Sequence, residues 1–285
     1  MKKIVLKDGR IKEFISGEME IMGIINVTPD SFFEGSRASS IDQAVARAQQ
    51  MIDDGATFID VGGESTRPGS DPVNVEEEKR RVCPVIQGIR ELSDDVIISV
   101  DTYHAETAED AVLAGADIIN DISGLTFDEN MVKVVAKYNV PVIIMHINGK
   151  PKTMQQDPYY EDVVEDVHDF LEKQVQFAVD NGVSRDKIII DLGIGFGKTC
   201  EHNVELLKNI ERFDDLGLPH LLAVSRKSFI GALLHEDDPA DRLPGTLAVS
   251  LYAKSKGIEI ARVHDVRENM DALRITDVLE GRYRR

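Results

Sequence analysis

Short runs of Ile, Val and Leu recur along the chain, each ending near a polar residue and followed by a stretch with helical spacing. The strand-like runs are Ile21 to Asn26, Thr57 to Gly62, Val96 to Asp101, Ile118 to Asp121, Val142 to His146, Lys187 to Asp191, Leu221 to Ser225 and Glu259 to Val263. Near-continuous apolarity is what strands of a parallel sheet need when helices cover them. Between the runs, apolar residues return every three or four positions. Ile41, Val45, Ala48 and Ile52 form one stripe behind a capping box of Ser40 and Gln43, closed by Gly55. Asn74 opens a second helix that buries Val82, Val85, Ile86 and Ile89. Glu109 to Leu113, Val132 to Tyr138 and Glu161 to Val179 follow, and Pro239 to Lys256 and Arg267 to Leu279 end the series. Eight alternating units predict an α/β fold, a (β/α)8 TIM barrel. An open doubly wound sheet shares the alternation but wants a Gly-rich nucleotide turn after its first strand, which is missing.

The 285 residues suit one such domain, 1–285, with residues 1–20 as an N-terminal extension packed on the barrel. No linker-like stretch divides it. With 33 basic against 51 acidic residues the net charge is −18, a field that repels nucleic acid and anionic membrane. An anionic substrate must therefore meet cations or a metal gathered locally. Cys83 and Cys200 form no C-x-x-C pair, no apolar run is long enough to span a bilayer, and Met1 to Ile15 has no signal core. A reducing, cytoplasmic setting is expected.

A buried strand gains nothing from ending in Asn, Asp, His or Arg unless that end faces a site. Asn26, Asp101, Asn120, His146, Asp191, Lys227, Arg262 and His264 all fall at or just after strand ends. Helix capping accounts for any one of them, and for Asp121 and His146 it remains an even match, but not for eight at one rim. Arg262 and His264, two apart on a strand, point to the same side and suit a phosphate or diphosphate. Lys227 follows the seventh strand, where barrels commonly hold phosphate. Asn26 is a neutral oxygen ligand of the kind Mg²⁺ accepts. Asp101, Asn120 and Asp191 offer the acceptors and amide that a nitrogen-rich heterocycle such as a pterin requires. Gly193-Ile194-Gly195-Phe196-Gly197-Lys198-Thr199 misses the P-loop spacing by one, because Leu192 stands where Gly is needed. Those glycines read as a tight loop approaching a flat ligand, with Phe196 able to cover it.

These strings, in order, resemble the dihydropteroate synthase family. Gly23-Ile24-Ile25-Asn26-Val27-Thr28-Pro29-Asp30-Ser31-Phe32 is similar to its first covering loop, and Gly63-Glu64-Ser65-Thr66-Arg67-Pro68-Gly69 to its second. Ser99-Val100-Asp101-Thr102, Asn120-Asp121-Ile122-Ser123-Gly124, Met145-His146, Gly193 to Lys198, Ser225-Arg226-Lys227-Ser228 and Arg262-Val263-His264-Asp265 complete the match. The chain departs from the family pattern at Phe33 and Ser36 in the first loop, and at Leu192, Ala223 and Ile147-Asn148.

The resemblance implies condensation of p-aminobenzoate with 6-hydroxymethyl-7,8-dihydropterin diphosphate, releasing diphosphate. It implies that Asp101, Asn120, Asp191 and Lys227 hold the pterin, with Met145 and Phe196 lining the site. Asn26 through Mg²⁺, with Arg262 and His264, would take the diphosphate, and Thr66, Arg67, Pro68, Phe32 and Ser228 would shape the p-aminobenzoate pocket. The catalytic set is then Lys227, Arg262, His264 and Asp101, in a homodimer whose last helices make the contact. Rivals are a methyltetrahydrofolate methyltransferase, which has no use for the Arg262/His264 pair, a Schiff-base aldolase built on Lys227, and a pterin-binding protein without catalysis.

Overall fold

A computed structural model describes residues 2–27, 37–66 and 69–282, with side chains in the first helix from residue 40 onward. A short antiparallel hairpin comes first, β1 (Lys3–Val5) against β2 (Ile11–Glu13). Eight strands follow: β3 (Glu20–Asn26), β4 (Phe58–Gly62), β5 (Ile97–Asp101), β6 (Ile118–Asp121), β7 (Val142–Met145), β8 (Ile188–Asp191), β9 (His220–Leu222) and β10 (Ile260–Val263). Each pairs in parallel with the next, and β10 returns to β3, closing a barrel. The eightfold reading is correct and the open sheet is excluded. The helices are α1 (Arg37–Asp53), α2 (Val75–Leu92), α3 (Ala105–Ala114), α4 (Met131–Tyr138), α5 (Val163–Asp180), α6 (Cys200–Lys208), α7 (Ser228–Leu234), α8 (Leu243–Ser255) and α9 (Val266–Leu279).

Strand periodicity divides the barrel into two apolar systems. Ile21, Ile25, Ile59, Val61, Ile98, Val100, Val142, Ile144, Ile188 and Ile190 face outward and pack with the helices in one large core. The alternate residues point inward, and their lowest layer takes one side chain from each strand: Met22, Phe58, Ile97, Ile118, Ile143, Ile189, Leu221 and Ile260. Ile4, Leu6 and Phe14 of the hairpin segment pack on this layer. Lys187 fastens them by donating to the carbonyls of Val5 (2.7 Å) and Leu6 (3.3 Å). Lys7 ties the same segment to the carbonyls of Val112 (3.0 Å) and Ala116 (2.6 Å). The N-terminal end of the barrel is thereby stoppered, and ligand chemistry is left to the opposite end.

The local signals worked at α2. Asn74 accepts from the Glu77 amide, and Val82, Val85, Ile86 and Ile89 are buried as read. Four boundaries need correction, the first being α3, which begins at Ala105, a full turn before Glu109. α1 begins at Arg37, one turn before the Ser40 capping box, because Arg37 and Ala38 are good helix formers and carry the helix back. β9 stops at Leu222, its ladder ending at the Leu222–Ala261 pair. Pro239 to Lys256 is not one helix: Pro239–Arg242 is a 3-10 turn, and Pro244, which has no amide hydrogen, sits in the first turn of α8. The hairpin, α6 and α7 were not read from the pattern, being only 3 to 9 residues long.

Candidate active site

Above the apolar layer the inward positions turn polar. The strand register puts Asn26, Gly62, Asp101 and Asn120 in one row of direct neighbours, with Asp60 beside Ser99 in the row below. Asp191 tops β8 and Arg262 lies on β10. Arg262 Nε donates to Asp60 (2.6 Å) and Nη2 to Asp101 (2.6 Å), while Asn120 Nδ2 donates to the same Asp60 oxygen (3.1 Å). Asp60 is wholly buried, Asp101 and Asn120 nearly so. Asp60 Oδ1, Ser99 Oγ and Asp101 Oδ1 have no partner among the described residues. Acceptors kept dry and unfilled are costly unless a ligand fills them. Burial pushes the Asp101 carboxyl up to about 7, against the pull of Arg262.

Asp60 was missed as a site residue in the sequence. Its signal was present: Gly55-Ala56-Thr57-Phe58-Ile59-Asp60 echoes Gly115-Ala116-Asp117-Ile118-Ile119-Asn120, which aligns Asp60 with Asn120, and an Asp in mid-strand between Ile59 and Val61 needs a partner inside the barrel.

The opposite wall is the loop after β8. Gly193 and Gly197 have φ of +67° and +64°, and a Cβ on either would lie 1.8 Å from the His146 carbonyl oxygen or 2.3 Å from that of Asn148. Only glycine allows so flat a loop against the β7 segment. Lys227 lies across it, donating to the Ile194 carbonyl and standing 4.6 Å from the centre of the Phe196 ring. Lys227 keeps some surface open, yet the protein crowding its ammonium lowers its pKa to about 8, Asp191 opposing the shift. Burial raises the Asp191 carboxyl, which Lys227 counters; Asp191 also accepts from the Gly193 amide (2.8 Å). Arg226, at φ +56°, turns the chain so that Lys227 enters the barrel. A bidentate pair with Asp265 (2.7 and 2.8 Å) holds that strained residue.

The remaining expected residues divide clearly. Met145 and Phe196 are buried together with Ile122, Ile147 and Met154 at the top of the barrel. His264 Nδ1 lies 3.0 Å from Ser225 Oγ, next to Arg262 on the same edge. Ser228 opens α7 and is exposed, and Thr66 is half-buried in the loop after β4. Asp121 faces outward and accepts from the amides of Ser123 and Leu125, a turn role. His146 is taken up by Lys198 (2.8 Å). Phe32, Phe33, Ser36, Arg67 and Pro68 lie outside the described residues. Glu165, His168 and Asp169 cluster on α5, where Arg212 already pairs with Glu165 at 2.9 Å, outside the barrel interior.

A closed parallel barrel whose C-terminal mouth sets buried carboxylates, an amide and two cations around unfilled acceptors is an enzyme site for a small polar heterocycle. The family described as pterin binding enzyme matches residues 22–264. A dihydropteroate synthase from Clostridium beijerinckii is 46% identical over 273 residues, 95% of this chain and 98% of its own. One from Synechocystis is 44% identical over 259 residues, 91% of this chain and 89% of its own. The solved structure of the Xanthomonas albilineans dihydropteroate synthase with 4-aminobenzoic acid superposes with a TM-score of 0.89 at 39% identity, covering 98% of each chain. The chain belongs to the dihydropteroate synthase family.

Proposed function

We propose that the barrel joins p-aminobenzoate to 6-hydroxymethyl-7,8-dihydropterin diphosphate, forming 7,8-dihydropteroate and diphosphate. The observation that carries this is the Asp60–Arg262–Asp101 cluster with Asn120 on the same carboxylate. It sets a heterocycle's donors and a diphosphate's charge side by side. Relatives are solved with fitting ligands: the Xanthomonas albilineans enzyme with 7,8-dihydropteroate, and the Yersinia pestis enzyme with a sulfonamide drug.

Asp101, Asn120 and Asp191 supply the polar edge for the pterin, and Lys227 and Phe196 its cover. Arg262, held by Nε and Nη2, keeps Nη1 for the diphosphate, and His264 stands beside it. Asn26 fits Mg²⁺ as one of few protein oxygens beside water and phosphate. Gly62 leaves the gap between them open, since a Cβ there would come within 3.8 Å of Asn26 Oδ1 and 3.7 Å of Asp101 Oδ2. Bound there, Mg²⁺ supplies positive charge that stabilises the departing diphosphate.

The C–O bond to diphosphate breaks first, and the dihydropterin ring shares the positive charge left on its methylene. Asp101 and Asp191 stabilise that charge as carboxylates, while Arg262 and His264 stabilise the leaving anion. The neutral arylamine then bonds to carbon and loses a proton to solvent, so no dedicated base is needed. Thr66, Arg67, Pro68, Phe32 and Ser228 shape the arylamine pocket.

A homodimer through the last two helices agrees with the apolar surface they expose, including Tyr252, Ile275, Val278 and Leu279. Among the described residues no helix is long and apolar enough to cross a membrane. Both cysteines are free, as a reducing cytoplasm allows. Chromatography of the purified chain with both substrates and Mg²⁺ tests the reading. Dihydropteroate is expected, and a methylated acceptor or a borohydride-trapped Lys227 adduct in its place would refute it.

A further inference from the structure

Nothing in the condensation uses Lys198, although it is only 2% exposed and sits directly behind the glycine loop. Its amine lies within hydrogen-bond distance of three acceptors, His146 Nδ1 at 2.8 Å, the Gly193 carbonyl at 3.0 Å and the Phe196 carbonyl at 3.1 Å, and burial holds its pKa well below the ordinary lysine value, with Asp191 opposing the shift. A polar group this deeply buried is tolerated because hydrogen-bond partners surround it. Burial, reinforced by Lys198, also holds the His146 pKa well below its ordinary value.

The two carbonyls gripped by Lys198 flank Ile194. Ile194 presents its own carbonyl to Lys227, and the Phe196 ring lies against the same Lys227 ammonium. Glycine at 193 and 197 lets the loop lie flat but gives it no side chain to fix its shape. Lys198 provides the fixation from behind, and Lys227 takes its position from the loop in front.

We infer that Lys198 is a positioning residue, holding the glycine loop so that the Ile194 carbonyl and the Phe196 ring fix the Lys227 ammonium for pterin binding. This rests on the proposed pterin role of Lys227, and the wild-type protein separates the two ideas. If wild type fails to bind 6-hydroxymethylpterin, the pterin reading itself falls. If wild type binds it, the variants decide on Lys198.

The experiment combines calorimetric titration of 6-hydroxymethylpterin with steady-state kinetics on wild type, Lys198→Met, His146→Ala and Val175→Ala. Val175 is buried in the outer core on α5 and serves as a control for lost stability. Lys198→Met should weaken pterin binding and raise KM for the pterin diphosphate about tenfold or more, with KM for p-aminobenzoate within about threefold. His146→Ala should give the same split about threefold in size, since two of three acceptors remain, and it carries the test if Lys198→Met does not fold. Val175→Ala should lower Tm and leave both KM values near wild type. An unchanged pterin KM in the folded lysine variant, or in His146→Ala if that variant stands alone, overturns the inference. So does the same split in Val175→Ala.

Discussion

Arg262 reaches past β3 to Asp60 on β4: its Nε lies 2.6 Å from a carboxylate 202 residues away in the chain and wholly buried. The same oxygen accepts from Asn120, so one carboxylate sets the proposed diphosphate cation and pterin amide together. Asp60→Asn keeps the volume and removes the charge. A charged hydrogen bond is worth about 1.5–3 kcal/mol, so kcat/KM for the pterin diphosphate should fall by about 10–100-fold in steady-state assays. A change under twofold would mean that Asp101 alone orients Arg262.

The paired carboxylates also set the pH response. Asp101 titrates at about 7 in the fold, above the value of about 4 for a free carboxyl. The folded state thus binds this proton more tightly than the unfolded chain. Its contribution to stability is full below pH about 4 and is lost as pH rises through about 7. Urea denaturation of wild type and Asp101→Asn should show their stability difference changing across that window and nowhere else. Lys227 loses its proton at about 8. If the Asp101 carboxylate and the Lys227 ammonium are both needed, kcat/KM follows a narrow bell with limbs near 7 and 8. A profile flat from pH 6 to 9 would show that neither charge matters.

The hairpin stopper should matter for stability and not for chemistry. Phe14 is 3% exposed, packed on the lowest barrel layer. Phe14→Ala should cost about 3–5 kcal/mol in urea unfolding, with kcat at 25 °C within about twofold of wild type. A large loss of kcat in the folded variant would show that the stopper shapes the mouth.

Much of this was legible in the chain because strand polarity and strand ends carry it. The eight strands and Asp101, Asn120, Asp191 and Arg262 came from runs whose apolarity stops at a polar residue. The mid-strand position of Asp60 hinted at a partner, but which residue it pairs with stayed hidden, because only barrel closure brings a side chain 202 residues away to it. Lys198 stayed hidden for a related reason. In the sequence it is one more residue of the glycine loop, and only the fold brings His146 to it. The Ser40 box misled because a capping signature does not start the helix when good helix formers precede it.

Asn26 is the proposed protein ligand for Mg²⁺. Asn26→Ala should raise the Mg²⁺ concentration for half-maximal activity about tenfold or more, while leaving binding of the uncharged 6-hydroxymethylpterin unchanged by calorimetry. Equal loss of both would place Asn26 on the pterin.

The central claim is that one site breaks the diphosphate bond and gives the carbon to an arylamine. Diphosphate release from the dihydropterin substrate, measured in Mg²⁺ with and without p-aminobenzoate, tests it most directly. The account predicts that p-aminobenzoate accelerates release, one dihydropteroate forming per diphosphate freed. Release with no dependence on p-aminobenzoate would contradict transfer to the arylamine, and release only in its presence would contradict bond breaking before attack.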